Sequence, residues 1–470
     1  MEKTKIVATL GPASDSLDAV RRLIRGGVDV IRLNMSHGSQ QDHAERIQWV
    51  RQAAREFDAH TAILIDLQGP KIRLGTFQDG GCVLEDGARF TITTTPVEGN
   101  SERASCSYAD LAKDLREGDR VLLADGTVEL RVLSSDGVAA ACEVVRGGPI
   151  SDRKGINLPG VQVSSPSLTK KDVADLRFGI EHGIDMVALS FVRKRDDVLR
   201  LRLHLEDNDA KIPIISKIEK PEAWTNLDSI LEESDGVMVA RGDLGVEMAA
   251  EKVPSIQKAI IRRARRAGKF VITATQMLDS MMDRATPTRA EVSDVANAIY
   301  DGTDAVMLSG ETAAGKYPFE AARMMERIAT EAETSVHFRD LPPRENPTHA
   351  DIVADAAYRA AQAVNAQGIV VFTATGFTAR LVSRFRPPVP IYAFTGNVET
   401  ARQLQVIFGV NAVIAADNSS TDEMLDQLDL LMLQNGTLKK GDTVVFVAGQ
   451  PIGRAGTTNL LKLHRVGDLH

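Results

Sequence analysis

Cysteine is scarce in this chain of 470 residues, which holds three, Cys82, Cys106 and Cys142. An odd count without metal-ligand spacing excludes a thiolate metal cluster and leaves free thiols, buried or half-buried, with no chemistry assigned to them. Long apolar runs are missing too: none reaches the roughly 18–20 residues that a membrane span needs. The opening Met1-Glu2-Lys3-Thr4-Lys5-Ile6 lacks the apolar stretch of a signal peptide. The expectation is a cytoplasmic protein without a membrane partner. Positive charge is not in excess either. The 56 basic and 64 acidic side chains leave a formal net charge of −8, which favours solubility and gives no footprint for nucleic acid. Small molecules are the expected partners. No G-x-x-x-x-G-K-[ST] loop occurs, so any bound nucleotide has to be held by other cations.

The chain is 43% hydrophobic and 26% charged, enough for a large core spread over roughly two to four domains. Short apolar runs that end in a polar residue alternate with amphipathic stretches, the pattern of parallel strands buried on both faces. The runs end near Thr9, Arg32, Asp66, Ser190, Lys217, Arg241 to Asp243, Thr275 and Ser309. Between them lie helical patterns such as Leu17, Val20, Ile24 behind a Ser14/Asp15/Ser16 cap, and Val253, Ile256, Ile260. Eight such units predict a closed (β/α)₈ TIM barrel, in which catalytic groups come from the carboxyl ends of several strands. An open doubly wound sheet is the alternative, but Thr9-Leu10-Gly11-Pro12 is no dinucleotide-binding turn.

Spacing locates an insertion. Arg32 to Asp66 is 34 residues and Thr275 to Ser309 is 34, whereas Asp66 to Ser190 is 124. The expected architecture is therefore a barrel of residues 1–72 and 166–338 interrupted by a small β-barrel lid of residues 73–165, whose β-rich runs are broken by Gly, Asp and Asn. A proline-punctuated linker from Asp340 to Pro347 then leads to an open α/β domain, 348–470. The Arg262 to Arg266 cluster is expected to be a solvated helix face.

The strand ends offer a site. Glu219 and Asp243 close successive strands and can share one Mg²⁺, which takes one or two carboxylates and leaves other positions to substrate oxygens and water; acids bonded to helix N-termini are the alternative. Lys217 lies two residues before Glu219, on the same strand face, where an ammonium can stabilise charge arising on a substrate oxygen. A surface lysine is its alternative. The Arg32 fork suits bidentate contact with phosphate, or a structural ion pair. Gly242 and Asp243 begin a turn whose backbone N–H groups can receive a carboxylate, and Thr275 can add a hydroxyl. Thr373-Ala374-Thr375-Gly376-Phe377-Thr378 follows a strand and opens a helix, a phosphate-binding geometry or an ordinary cap.

Six stretches in order, Ile31-Arg32-Leu33-Asn34-Met35-Ser36-His37-Gly38, Asp66-Leu67-Gln68-Gly69-Pro70-Lys71-Ile72-Arg73, Ile215-Ser216-Lys217-Ile218-Glu219, Ala240-Arg241-Gly242-Asp243-Leu244-Gly245-Val246-Glu247, Ala274-Thr275-Gln276-Met277-Leu278 and Met307-Leu308-Ser309-Gly310-Glu311-Thr312, resemble the pyruvate kinase family. The resemblance implies transfer of the phosphoryl group of phosphoenolpyruvate to ADP, giving pyruvate and ATP. It makes Glu219 and Asp243 the ligands of Mg²⁺ or Mn²⁺, Arg32 and Lys217 the grip on the phosphoryl group, and Gly242, Asp243 and Thr275 the seat of the substrate carboxylate. It assigns the nucleotide to Asn34, His37, Arg73 and Lys154, with a structural histidine the alternative for His37. Asn34, Ser36, Asp66 and the Leu67 carbonyl match a monovalent-cation site. Members that need the cation carry glutamate where this chain has Lys71 and threonine where it has Leu74, so the expectation is that Lys71 supplies the charge and K⁺ is not required. The family pattern also implies a phosphorylated allosteric effector at Thr373, Thr375, Gly376 and Thr378, joined by Gly453 to Asn459, and a homotetramer. The proton donor to the enolate is left open. Two rivals remain: a metal-dependent lyase that forms a pyruvate enolate by carbon–carbon cleavage, and a sensor without catalysis.

Overall fold

Eight parallel strands close into a ring in chain order: Lys5–Thr9, Val30–Asn34, Ala62–Asp66, Met186–Leu189, Ile214–Ile218, Gly236–Ala240, Phe270–Ala274 and Ala305–Leu308, with the last pairing back to the first. This computed structural model describes residues 3–335, 341, 346–452 and 456–468. The ring is the expected barrel. Its strands are buried on both faces, and their alternation sorts the side chains. Ile31, Leu33, Ile63 and Ile65 pack outward against the helices, whereas Val30, Ala62, Leu64, Ala188, Ile215 and Met238 fill the interior. Because the period is two, the parity that sends Val30 inward also sends Arg32 and Asn34 there. The same holds for Asp66 after Leu64 and for Lys217 after Ile215.

The helices begin where capping chemistry allows. Ser16 accepts from the Ala19 N–H at 3.1 Å and opens Leu17–Arg25. Reciprocal caps, in which the first side chain and the third helical residue satisfy each other's backbone, start Gln40–Glu56 at Ser39/Asp42. Others start Lys170–Glu181 at Thr169/Asp172 and Arg289–Tyr300 at Thr288/Glu291.

The inserted segment folds around its own core, which runs from Ile72 to Val161 and includes Phe90, Leu130 and Val144. Its strands make a six-stranded and a two-stranded sheet wrapped about that core. In the last domain the helix His349–Ala363 precedes a five-stranded sheet whose outermost strand, Thr458–Arg465, runs antiparallel to the others. Most of the expected linker, and Gly453, Arg454 and Ala455 of the expected effector segment, lie outside the described residues.

The last domain packs on the amino-terminal end of the barrel, and one apolar cluster runs from Met238 and Ile272 to Ala354, Ile369 and Leu404. Arg386 and Asp304 form a buried ion pair across this seam at 2.9 Å, and Asp304 also accepts from the Phe408 N–H. The seam corrects one expectation. Arg265, read as part of a solvated face, is buried and donates to the Arg384 carbonyl at 3.0 Å. Packing of the last domain removes it from water, and burial together with the charge of Arg386 pulls its guanidinium down to about 9. Arg262 and Arg266 on the same helix, Val253–Ala267, stay exposed.

Candidate active site

The carboxyl ends of the barrel strands carry a continuous chain of charges. Arg32 donates from Nε to Asp66 Oδ2 at 2.8 Å, with its other nitrogens reaching the same oxygen at 2.7 Å and Thr9 Oγ1 at 3.1 Å. The other oxygen of Asp66 faces Lys217 Nζ at 3.3 Å. That ammonium continues to Glu219 Oε1 at 2.8 Å and to Ser190 Oγ at 2.8 Å. Glu219 Oε2 accepts from the Phe191 N–H at 2.9 Å. Residues of four strands thus converge on one buried patch.

Burial sets the electrostatics and the neighbours decide the sign. Desolvation raises the Asp66 carboxyl, but Lys217 and Arg32 outweigh it and hold the group below the usual carboxylate range. Burial lowers Lys217, and Asp66 and Glu219 reverse that, so the ammonium is held more firmly than a free lysine. Glu219 goes the other way. Its burial raises it, the nearby Lys217 lowers it and the charge of Asp243 raises it again, leaving it above the ordinary value. Two hard oxygen donors, one of them buried and raised in part by the other, suit a divalent cation that fills its remaining positions from substrate and water. Among the described residues no group of three or more His, Cys, Asp or Glu forms a metal cluster.

Beside this patch, Gly242 and Asp243, expected to begin a turn, lie instead in the first turn of the helix Arg241–Glu247 that starts directly after Gly236–Ala240, and this helix meets the turn after Phe270–Ala274. A Cβ on Gly242 would lie 2.7 Å from Thr275 Cγ2, so only glycine allows this approach. Thr275 adopts φ +78°, unfavourable for a β-branched residue. Arg241 holds it there, donating to the Thr275 carbonyl at 2.7 Å while pairing with Asp294 at 2.6 Å.

Between barrel and lid runs a cleft lined by Lys71, Asp125, Asn157, Phe191, Lys220 and Asp243 among others. Arg73 donates to the Arg153 carbonyl at 3.0 Å and the Leu74 N–H to the Lys154 carbonyl at 2.8 Å, so the two expected nucleotide cations share one end of the lid. His37 is exposed, and its ring is lowered first by partial burial and then by Arg73, Lys71 and Arg32. Its carbonyl accepts from His43 Nε2 at 2.9 Å.

A family model described as the pyruvate kinase barrel domain matches residues 1–322, and one described as the pyruvate kinase alpha/beta domain matches 351–464. The chain belongs to the pyruvate kinase family. It is 47% identical over 468 residues to a pyruvate kinase of Corynebacterium glutamicum, covering 99% of this chain and 98% of that one. It is 46% identical over 474 residues to that of Staphylococcus aureus strain MRSA252, covering 100% of this chain and 81% of the relative. A crystal structure of a pyruvate kinase from Cryptosporidium parvum superposes with a TM-score of 0.92 at 38% identity, covering 99% of this chain and 96% of the other.

Against the family pattern, Asn34 stands beside Asp66 across paired strands and its Oδ1 accepts from the Ser36 N–H at 3.1 Å. Leu67 is buried and Lys71 exposed at the cleft. In the last domain Gly376 takes φ +75°, and a Cβ there would come within 3.0 Å of Leu404. Thr373, Thr375 and Thr378 line a cavity of about 440 Å³ with Phe394, Asp417 and Asn418, and Thr378 Oγ1 bonds to Thr458 Oγ1 at 2.7 Å. Thr9, Ser190 and Arg241 stand among the strand-end candidates, but the sequence carries no individual role for them. That position was the signal available. No helix among the described residues is long and apolar enough to cross a membrane.

Proposed function

We propose that the chain transfers the phosphoryl group of phosphoenolpyruvate to ADP, yielding pyruvate and ATP. The observation that carries this reading is the buried run Arg32, Asp66, Lys217, Glu219 at the strand mouths, opposite a lid that bears Arg73 and Lys154. Phosphoryl transfer asks little covalent chemistry of a protein and depends on positioning and charge. Arg32 and Lys217 grip the phosphoryl oxygens. The amino-terminal turn of the helix Arg241–Glu247, at Gly242 and Asp243, receives the substrate carboxylate together with the Thr275 hydroxyl. Arg73 and Lys154, with Asn34 and His37, align ADP for attack on phosphorus from the side opposite the enol oxygen. Lys217, fixed as an ammonium between two carboxylates, then stabilises the enolate until C3 takes a proton. Glu219 and Asp243 hold Mg²⁺ or Mn²⁺, which when bound supplies positive charge to the transferring group.

The finer assignments are part of the same proposal: Lys71 replaces the monovalent cation in the surroundings of Asn34, Ser36, Asp66 and Leu67, and the enzyme is a homotetramer of the cytoplasm. A phosphorylated metabolite activates it through the cavity lined by Thr373, Thr375 and Thr378. A lyase forming the same enolate would not need the lid cations. Initial rates of pyruvate formation from phosphoenolpyruvate, coupled to lactate dehydrogenase, should therefore depend strictly on ADP. Pyruvate formed at the same rate without ADP would rule the reading out.

A further inference from the structure

The lid meets the barrel through a polar contact that takes no part in the chemistry above. Lys220 directly follows Glu219, and Glu247 lies four residues after Asp243, at the end of the helix Arg241–Glu247. Residues four apart share a helix face, so Glu247 sits below Asp243 on the side that faces the fifth strand. Lys220 Nζ and Glu247 Oε1 pair at 2.5 Å, with the side chains 13% and 1% exposed. The third partner comes from the lid. Asn157, on the strand Ile156–Asn157, donates from Nδ2 to the same Glu247 oxygen at 3.1 Å. Beside it the lid turn at Gly126 approaches the same helix, where a Cβ would lie 3.7 Å from Val246 Cγ1. Lys220, Asn157 and Asp243 line one cleft.

A buried ion pair stabilises a fold poorly compared with an apolar pair of the same shape, and its better-attested use is to fix one arrangement against others. This pair sits where the inserted domain meets the barrel helix that carries Asp243. We propose that Lys220 and Glu247 are positioning residues that form a docking latch for the lid, with Asn157 as the lid's half of it. The latch ties lid position to two nearby carboxylates, Glu219 one residue before Lys220 and Asp243 one helical turn before Glu247. Lys154 and Arg73 share one end of the lid, so docking sets the alignment of the nucleotide more than the grip on the three-carbon substrate. This inference rests on the nucleotide assignment given above.

Asn157→Ala tests it, because it removes the lid's hydrogen bond and leaves the ion pair in place. A hydrogen bond to a charged partner is strong enough to shift docking by about tenfold. The KM for ADP should rise about tenfold with the KM for phosphoenolpyruvate within about twofold of wild type. Amide exchange over residues 243–248 and 155–160, measured without substrates, should quicken by a similar factor. Glu247→Gln and Lys220→Met should share this signature, Lys220→Arg should restore the ADP KM, and Asn157→Ala with Glu247→Gln should be no worse than the worse single variant. Should either ion-pair variant fail to fold, Asn157→Ala decides alone. An unchanged ADP KM, or fully additive effects, overturns the latch. Faster exchange in a protein that makes no ATP at all would leave the latch standing and sink the proposed reaction instead.

Discussion

Replacing Lys217 by methionine removes the charge at the centre of the site while keeping most of its volume. The ammonium touches Glu219 at 2.8 Å, Ser190 at 2.8 Å and Asp66 at 3.3 Å. Breaking a buried pair commonly costs about 3–5 kcal/mol, because the partner is left charged and alone. Here neither partner is abandoned. Asp66 keeps both Arg32 contacts and Glu219 keeps the Phe191 N–H, which lowers the expected cost to about 1–3 kcal/mol and leaves the variant folded. The kinetic loss should be larger than that stability cost suggests. Removing one preorganised group from developing charge in a water-poor site lowers kcat by about 10²–10³, or roughly 2.7–4 kcal/mol of barrier. In the proposed binding mode phosphoenolpyruvate retains Arg32 and the helix start at Gly242, so its affinity should change by less than about tenfold, or about 1.4 kcal/mol. Initial rates with both substrates varied give kcat and KM, titration calorimetry gives substrate binding, and a thermal melt monitors folding. A folded Lys217→Met enzyme with kcat within a few-fold of wild type would refute the role. So would a loss confined to substrate affinity, since that signifies ground-state binding alone.

Three other outcomes follow from the same geometry. Arg241→Lys loses the forked hold on the Thr275 carbonyl, and relaxation of that strained residue, worth about 1–3 kcal/mol, should raise the KM for phosphoenolpyruvate about tenfold with the ADP KM unchanged in steady-state assays. Asp66 is depressed in the folded state, so its stabilisation is present above its ordinary value of 3.8 and is lost as pH falls through the folded one. The melting-temperature gap between wild type and Asp66→Asn should be full near neutral pH and close below pH 3.8. Lys71→Glu should make turnover depend on added K⁺, whereas the unaltered enzyme runs equally fast in K⁺ and in tetramethylammonium; a K⁺ requirement in the latter contradicts the charge-replacement argument.

The barrel was legible because its physics is periodic. Continuous apolar runs marked strands buried on both faces, and the polar residue at each end fell at the barrel mouth. Parity then placed Arg32 and Asn34, Asp66, and Lys217 on the inner face, since in a strand every second residue faces the same way. The lid was legible as an excess of spacing between Asp66 and Ser190. Arg265 was not. An arginine among arginines on an amphipathic helix has the same local pattern whether water or a second domain covers it, and the cover here is contributed by Arg384 and Arg386, far along the chain.

The polar partnerships share that difficulty for a physical reason. Apolar packing is non-directional and close to additive in area, so composition and period carry most of its information. An ion pair is short-ranged and directional, and its members can lie anywhere in the chain. Of the residues flanking the site, Lys220 and Glu247 differ from other exposed-looking lysines and glutamates only in what the fold brings near them. Thr275 is the sharper case. Its sequence neighbourhood, a β-branched residue ending an apolar strand, argues for extended backbone, yet it takes φ +78°. The conformation persists because Arg241 binds the carbonyls of Ala274, Thr275 and Gln276 from one side while Asp294 fixes the guanidinium from the other. Where the local preference failed, a long-range polar contact overrode it, and it did so at the residue whose hydroxyl is proposed to meet the substrate carboxylate.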